Sequence, residues 1–125
     1  MTKFKPTIVF DFDGVIHSYV SGWKGEDIIN DPPVKGIKET LEKLSKKYRI
    51  IVVSSRCNTM EGISAIIDYM EKHKLYYDGV MKSKPPAKLY IDDRGLTFNG
   101  DVNKLLNDIE NFEHWITPSV KEEYK

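Results

Sequence analysis

Ile8, Val9 and Phe10 form a short, unbroken apolar run that stops at Asp11-Phe12-Asp13-Gly14. A run of β-branched and aromatic residues bounded by glycine predicts a strand buried on both faces, as in a parallel sheet. Residues 48–55, Tyr-Arg-Ile-Ile-Val-Val-Ser-Ser, repeat the pattern and predict a second strand with polar residues at its end. Between them Val34, Ile37, Leu41 and Leu44 recur at helical spacing among lysines and glutamates. That helix should open at Pro33, which suits a first turn, and end near Lys46-Lys47, whose cations favour a helix C-terminus. Asn58-Thr-Met-Glu61 reads as a capping box opening a helix with Ile63, Ile66, Ile67 and Met70 on one face.

Gly79-Val80-Met81 predicts a short third strand, and Leu89-Tyr90-Ile91 another that runs into Asp92-Asp93. Leu96-Thr97-Phe98 suggests a last strand closed by Asn99-Gly100, after which Asp101 caps a helix with Val102, Leu105, Leu106 and Ile109 inward. Residues 14–32 carry Gly14, Gly22, Gly25 and an Asp31-Pro32-Pro33 break without helical periodicity. They predict a loop or small hairpin with Tyr19, Val20 and Trp23 as its apolar content. Strands alternating with amphipathic helices give an α/β fold. The expected architecture is a three-layer, doubly wound, Rossmann-like and mostly parallel sheet with helices on both faces. A short flap follows the first strand, and there is no large cap. The 125 residues suit one domain, over 1–118, with a charged tail at 119–125 that is expected to fray.

Nineteen lysines and arginines balance nineteen aspartates and glutamates. Zero net charge argues against a general nucleic-acid or membrane-surface binder, which needs a basic field. A local basic strip from Lys24, Lys82, Lys84 and Lys88 remains open. The single cysteine, Cys57, excludes an internal disulfide, and three scattered histidines argue against a zinc cluster. The segment Met1–Pro6 carries two lysines, but the apolar run after it is cut off by Asp11, too short for a signal peptide or membrane span. A soluble, cytoplasmic protein is the expectation.

Ligands of open α/β sheets bind beyond the carboxyl ends of the strands. Asp11/Asp13, Ser54/Ser55 and Asp92/Asp93 all sit at such ends, so a parallel sheet gathers them at one edge. Carboxylates that close repel one another unless a cation or a shared proton intervenes. An oxygen-only set with no histidine or cysteine favours a hard cation, most simply Mg²⁺, which works beside substrate phosphates. A serine hydroxyl, a lysine ammonium and the amides after Asp11 suit phosphate oxygens, and an aspartate can act as nucleophile. Each residue also has an ordinary reading. Asp11 and Asp13 can simply end a strand in a turn, and His17 reads as solvated. Arg56 meets either substrate or a surface acid, Cys57 reads as a bystander, and Tyr19 and Trp23 either line an entrance or pack under the loop.

Taken together, these motifs resemble the haloacid dehalogenase superfamily of aspartate-nucleophile phosphohydrolases across nearly the whole chain. Asp11-Phe12-Asp13-Gly14-Val15 is similar to its first motif. Ser54, in Val-Val-Ser-Ser-Arg, resembles the second, with Ser55 as the competing hydroxyl. Lys84 before Pro85 resembles the third, with Lys82 and Lys88 as competitors, and Asp92-Asp93 resembles the fourth. The resemblance implies Asp11 as nucleophile, Asp13 as acid/base, and Ser54, Ser55, Lys84 and Gly14 as phosphate-binding positions. It also implies Mg²⁺ held by Asp11, Asp13 (through its carbonyl), Asp92 and Asp93, with Asp93 either direct or through water. Only about twenty residues separate Asp13 from the first helix, and residues 56–83 hold little more than one helix and a strand. The chain therefore resembles the capless class, whose open cleft a large substrate or a second subunit would cover, or which handles a small phosphorylated metabolite loosely. The implied activity is phosphomonoester hydrolysis through an aspartyl-phosphate, on a small phosphorylated molecule or a macromolecule. A nucleotidase or polynucleotide-end phosphatase is the near alternative. A non-catalytic phospho-ligand or partner-binding module is the distant one, and a receiver-type regulatory domain fits less well because Asp13 would hydrolyse the phospho-aspartate it must preserve.

Overall fold

A computed structural model describes residues 4–125. Residues 1–3, the start of the expected domain and of the lysine-containing N-terminal segment, lie outside the described residues. Four parallel strands form one sheet in the order β3-β2-β1-β4: β1 is Thr7–Asp11, β2 Arg49–Val53, β3 Gly79–Met81 and β4 Leu89–Ile91. Asp11 is level with Val53, and Phe10 with Ile91. The residues that follow these strands, Phe12, Ser54 and Asp92, therefore leave the sheet along one edge. This small Rossmann-like α/β sheet without a large cap is the fold class read from the apolar runs.

Two helices bury the sheet's first face. α1 is Ile37–Ser45 and α2 is Met60–Lys72. Ile37 and Leu41 of α1, with Ile66, Tyr69 and Met70 of α2, pack against Ile8, Phe10, Ile50 and Val52. Burying each such aliphatic or aromatic side chain contributes roughly 1.5–3 kcal/mol relative to exposure. The alternate residues Val9, Ile51 and Val53 face the other way and pack against Ala87. Helices on both faces were expected, and here the structure differs. The crossovers β1-α1-β2 and β2-α2-β3 step the same way along the sheet, so right-handed connections place both helices on one face. The return from β3 to β4 spans residues 82–88, too few for a covering helix.

α3, Val102–Glu110, does not supply that layer, for none of its residues is buried. Asp101 caps it as expected, accepting from the amides of Asn103 and Lys104. Its apolar stripe does not face inward, however. Val102, Leu106 and Ile109 are exposed, and so are Leu89, Tyr90 and Ile91 of the outer strand β4. Leu96–Phe98 forms no strand. The N-cap of α2 is Thr59 rather than Asn58, its hydroxyl accepting from the Gly62 amide at 3.0 Å. On the same helix Ile67 is exposed, while Tyr69 joins the core in its place. The tail expected to fray is α4, Pro118–Glu123, capped by Thr117. Lys35 anchors it, donating from its amide to the Tyr124 hydroxyl and from Nζ to the Glu123 carbonyl, both at 3.0 Å. Among the described residues no helix is long and apolar enough to cross a membrane.

Candidate active site

Asp11 is the last residue of β1, and Asp92 and Asp93 follow β4 directly. Each offers one carboxylate oxygen, and the three oxygens lie within 4.8 Å of one another. Burial pushes the Asp11 carboxyl up, and the adjacent charge of Asp92 and a hydrogen bond to Asp93 push it further, to about 7. Asp92 goes the other way. Burial raises it, but the Arg94 amide and the Lys84 ammonium outweigh that and hold it below the usual carboxylate range. Three crowded carboxylate oxygens, with the ionisation of Asp11 opposed by its burial and its neighbours, fit a hard divalent cation. The carboxylate of Asp13 is not among these oxygens.

Asp13 is pinned elsewhere. The Arg56 Nε–H donates to its Oδ2 at 2.9 Å, and His17 Nδ1 lies 2.8 Å from Oδ1. The Asp31 amide donates to His17 Nε2 at 3.2 Å, which leaves Nδ1 to carry the ring's proton toward Asp13. His17, expected to be solvated, is instead fully buried, stacked on Phe12 and edge-on to Tyr69. Arg56 is also fully buried. Its Nη1 donates to the carbonyls of Gly25, Glu26 and Ile28, and the Trp23 ring lies over its guanidinium at 4.7 Å. The flap of residues 14–32 is thus organised around polar anchors. Asp31 accepts from the amide and hydroxyl of Ser21, and its carbonyl accepts from the Tyr69 hydroxyl. Its buried apolar side chain is Ile16, with Val15 and Ile29 partly buried, whereas Trp23 stays exposed.

The other expected positions divide. Ser54 is buried at the end of β2, where its Oγ accepts from the Arg56 amide at 3.1 Å, leaving the hydroxyl proton for a ligand. Ser54 and Ser55 both line a cavity of about 340 Å³ together with Asp11, Asp13, Tyr19, Trp23, Asp92, Asp93 and Arg94. Lys84 reaches Asp92 at 3.2 Å and does not line that cavity. Gly14 gives its amide to the His17 carbonyl at 2.8 Å, so that N–H is not free for phosphate as expected. What the position requires is absence of a side chain, because a Cβ there would lie 2.2 Å from Asp93 Oδ2. The basic strip is also broken. Lys88 precedes β4, at the opposite end of the sheet from the cleft, with its ammonium over Tyr48. Cys57 is a buried residue of the helical turn Ser55–Asn58 and does not line the cleft.

Sequence reasoning missed the C-terminal segment altogether. His114 Nε2 lies 2.5 Å from Asp93 Oδ2, while its Nδ1 accepts from the Ile116 amide. Trp115 Nε1–H donates to the Gly14 carbonyl at 2.7 Å. The two outer carboxylates, Asp13 and Asp93, are therefore each held by an imidazole whose other nitrogen accepts a main-chain N–H. A second cavity, of about 360 Å³, lies along α2 between Asp27, Glu61, Asp68 and Lys72, but it receives no strand-end group.

No protein-family model and no curated protein matches the chain. Among solved structures, the fold is similar to the crystal structure of an MCSG target from Vibrio cholerae. That likeness covers 84% of this chain and 99% of the other, with a TM-score of 0.50 and 18% identity. At that identity the likeness speaks for the fold alone.

Proposed function

We propose that the chain is a Mg²⁺-dependent phosphomonoester hydrolase working through an aspartyl-phosphate, a small capless member of the haloacid dehalogenase superfamily. One observation carries the reading: two aspartates two residues apart occupy opposite environments. Asp11 stands among like charges with its carboxyl raised to about 7, whereas both oxygens of Asp13 are engaged by Arg56 and His17. Environments that differ so much suit two separate jobs in one reaction. A pure binding module needs no such division.

Bound at Asp11, Asp92 and Asp93, Mg²⁺ would supply the positive charge that keeps Asp11 ionised and neutralises phosphoryl oxygens. Asp11 then attacks phosphorus with a carboxylate oxygen as the bond to the leaving oxygen breaks. Asp13 delivers a proton to that oxygen, and each of its own oxygens still has a lone pair beyond the one engaged by His17 or Arg56. In the second half Asp13 takes a proton from water as the water's oxygen attacks phosphorus. The phosphorus–Asp11 bond breaks and inorganic phosphate leaves. The Ser54 hydroxyl donates to a phosphoryl oxygen, and Lys84 offsets the negative charge of Asp92 beside the transferred group.

The test is phosphate release from p-nitrophenyl phosphate, sugar phosphates and nucleotides, with and without Mg²⁺, on wild type and Asp11→Asn together. Mg²⁺-dependent release that disappears in the variant is the expected result. Equal release by Asp11→Asn would remove Asp11 as nucleophile.

A further inference from the structure

A smaller cavity, of about 170 Å³, adjoins the cleft, and Tyr19 and Arg94 line both. Its other walls are Gly22, His114, Ile116 and Lys121. Among the described residues no carboxylate lines it. Its charged groups are two cations, Arg94 and Lys121, and among the described residues neither side chain makes an ion pair. The cleft beside it is the reverse: four aspartates line it with Arg94 as the one cation among its lining residues, while Arg56 and Lys84, outside that lining, offset Asp13 and Asp92. A negative cleft thus opens into a positive annex.

The annex is held in place from two sides. His114 and Trp115 are bonded to Asp93 and to the Gly14 carbonyl, the residues that shape the cleft floor. Beyond Lys121, Glu123 and Tyr124 are bonded to Lys35. His114 contributes no cation in this pattern, since its Nδ1 accepts the Ile116 amide and its Nε2 faces Asp93. Unpaired cations beside a reaction site attract the anionic part of a ligand through charge-assisted hydrogen bonds.

We infer that residues 94 and 114–121 form a second anion site, and that the substrate is a small phosphomonoester whose leaving group carries a further phosphate or carboxylate. The inference rests on the proposed phosphatase activity. With the scissile phosphate over Asp11, the second anion lies against Arg94 and Lys121. The cavity's volume suits one such group rather than a run of phosphodiesters. The neutral net charge and the distant Lys88 likewise disfavour a polynucleotide track.

The test compares α,ω-alkanediol bisphosphates of two to six carbons with the matched alkyl monophosphates and with a 5′- or 3′-phosphorylated oligonucleotide, all with Mg²⁺. For wild type, kcat/KM for the best bisphosphate should exceed its monophosphate by roughly tenfold, mostly through KM, as one well-placed charge-assisted contact allows. Lys121→Ala should bring that ratio toward one, and Lys121→Glu should invert it. Phosphate release without any bisphosphate preference would overturn the anion site and leave the phosphatase reading standing. A preference for the oligonucleotide over every bisphosphate would overturn the small-molecule assignment. Butane-1,4-bisphosphonate and butylphosphonate, which are not hydrolysed, are titrated calorimetrically in parallel. If no ester is cleaved, tighter binding of the bisphosphonate that is lost in Lys121→Ala supports the anion site without the phosphatase. Equal binding of the two overturns it.

Discussion

His17 Nδ1 sits 2.8 Å from Asp13 Oδ1, and the Asp31 amide bonded to the ring's other nitrogen directs the imidazole proton at that oxygen. The arrangement orients Asp13 without touching the Asp11 cluster. Replacing His17 by Phe keeps a ring between Phe12 and Tyr69 but removes the donor. Phosphate release should fall at least about tenfold in kcat, within the range general acid–base groups contribute, with KM changed by less than about twofold. His17→Asn, whose amide can still donate, should recover part of the loss. Steady-state kinetics on the three proteins checks this, and an unchanged kcat in His17→Phe would show that Asp13 needs no such support.

Arg56 carries the larger structural burden. It is fully buried and joins Asp13 to three carbonyls of the flap, forty-three to twenty-eight residues away along the chain. Arg56→Ala strands those acceptors and should cost about 3–5 kcal/mol in denaturant unfolding, the usual loss when one partner of a buried ion pair is removed. Arg56→Lys cannot reproduce the fork that serves Nε and Nη1 contacts together, so it should recover less than half of that loss. Limited proteolysis should cut both variants within residues 20–30 faster than wild type. Stability within about 0.5 kcal/mol of wild type for Arg56→Ala would refute the role.

The Asp11 carboxyl is raised from 3.8 to about 7, so between these values the folded chain holds a proton that the unfolded chain has released. Stability from this group is complete below about pH 4 and is lost as pH rises through 7. Without divalent cations the melting temperature should therefore fall from pH 5 to pH 8. Asp11→Asn, which cannot ionise, should flatten that fall. Under the proposed function Mg²⁺ would compete with the proton, so its stabilising effect should grow across the same interval. Thermal melts at four pH values, with Mg²⁺ and with chelator, read all three effects. A wild-type melting temperature that rises toward pH 8 without metal would contradict the burial of the Asp11 carboxyl beside Asp92 and Asp93.

What could be read from the sequence, and what could not, follows the distance over which each signal acts. β1 to β4 announce themselves as local apolar runs, and a parallel sheet then forces Asp11, Ser54 and Asp92 to one edge whatever lies between. The supports of the site are different in kind. His17 meets Asp31 fourteen residues on, Arg56 reaches back forty-three to Asp13, and Trp115 reaches back a hundred and one to Gly14. A polar residue in a loop looks the same whether it is solvated or held by such distant partners. α3 shows the converse limit. Its cap and apolar stripe correctly predict a helix, but a stripe cannot say whether it will be covered, and Val102, Leu106 and Ile109 stay exposed.

Gly14 links two of those supports, and its replacement separates steric from backbone effects. Its φ of +82° disfavours any side chain, at a cost of about 1–2 kcal/mol. A Cβ there would also fall 2.2 Å from Asp93 Oδ2 and 2.7 Å from Asp93 Cγ, so Asp93 must leave its place beside Asp11. Gly22 has a similar φ of +74° with nothing within 4 Å of a Cβ, and so bears the backbone cost alone. Gly22→Ala should lose about 1–2 kcal/mol in unfolding, and Gly14→Ala at least as much because the clash adds to the backbone cost. Only Gly14→Ala should also weaken Mg²⁺ binding, by about tenfold or more, as displacement of one carboxylate from a three-carboxylate cluster implies. Calorimetric Mg²⁺ titration of the two variants decides the point. Equal affinities would mean that Asp93 is dispensable to the cation, leaving Asp11 and Asp92 to hold it.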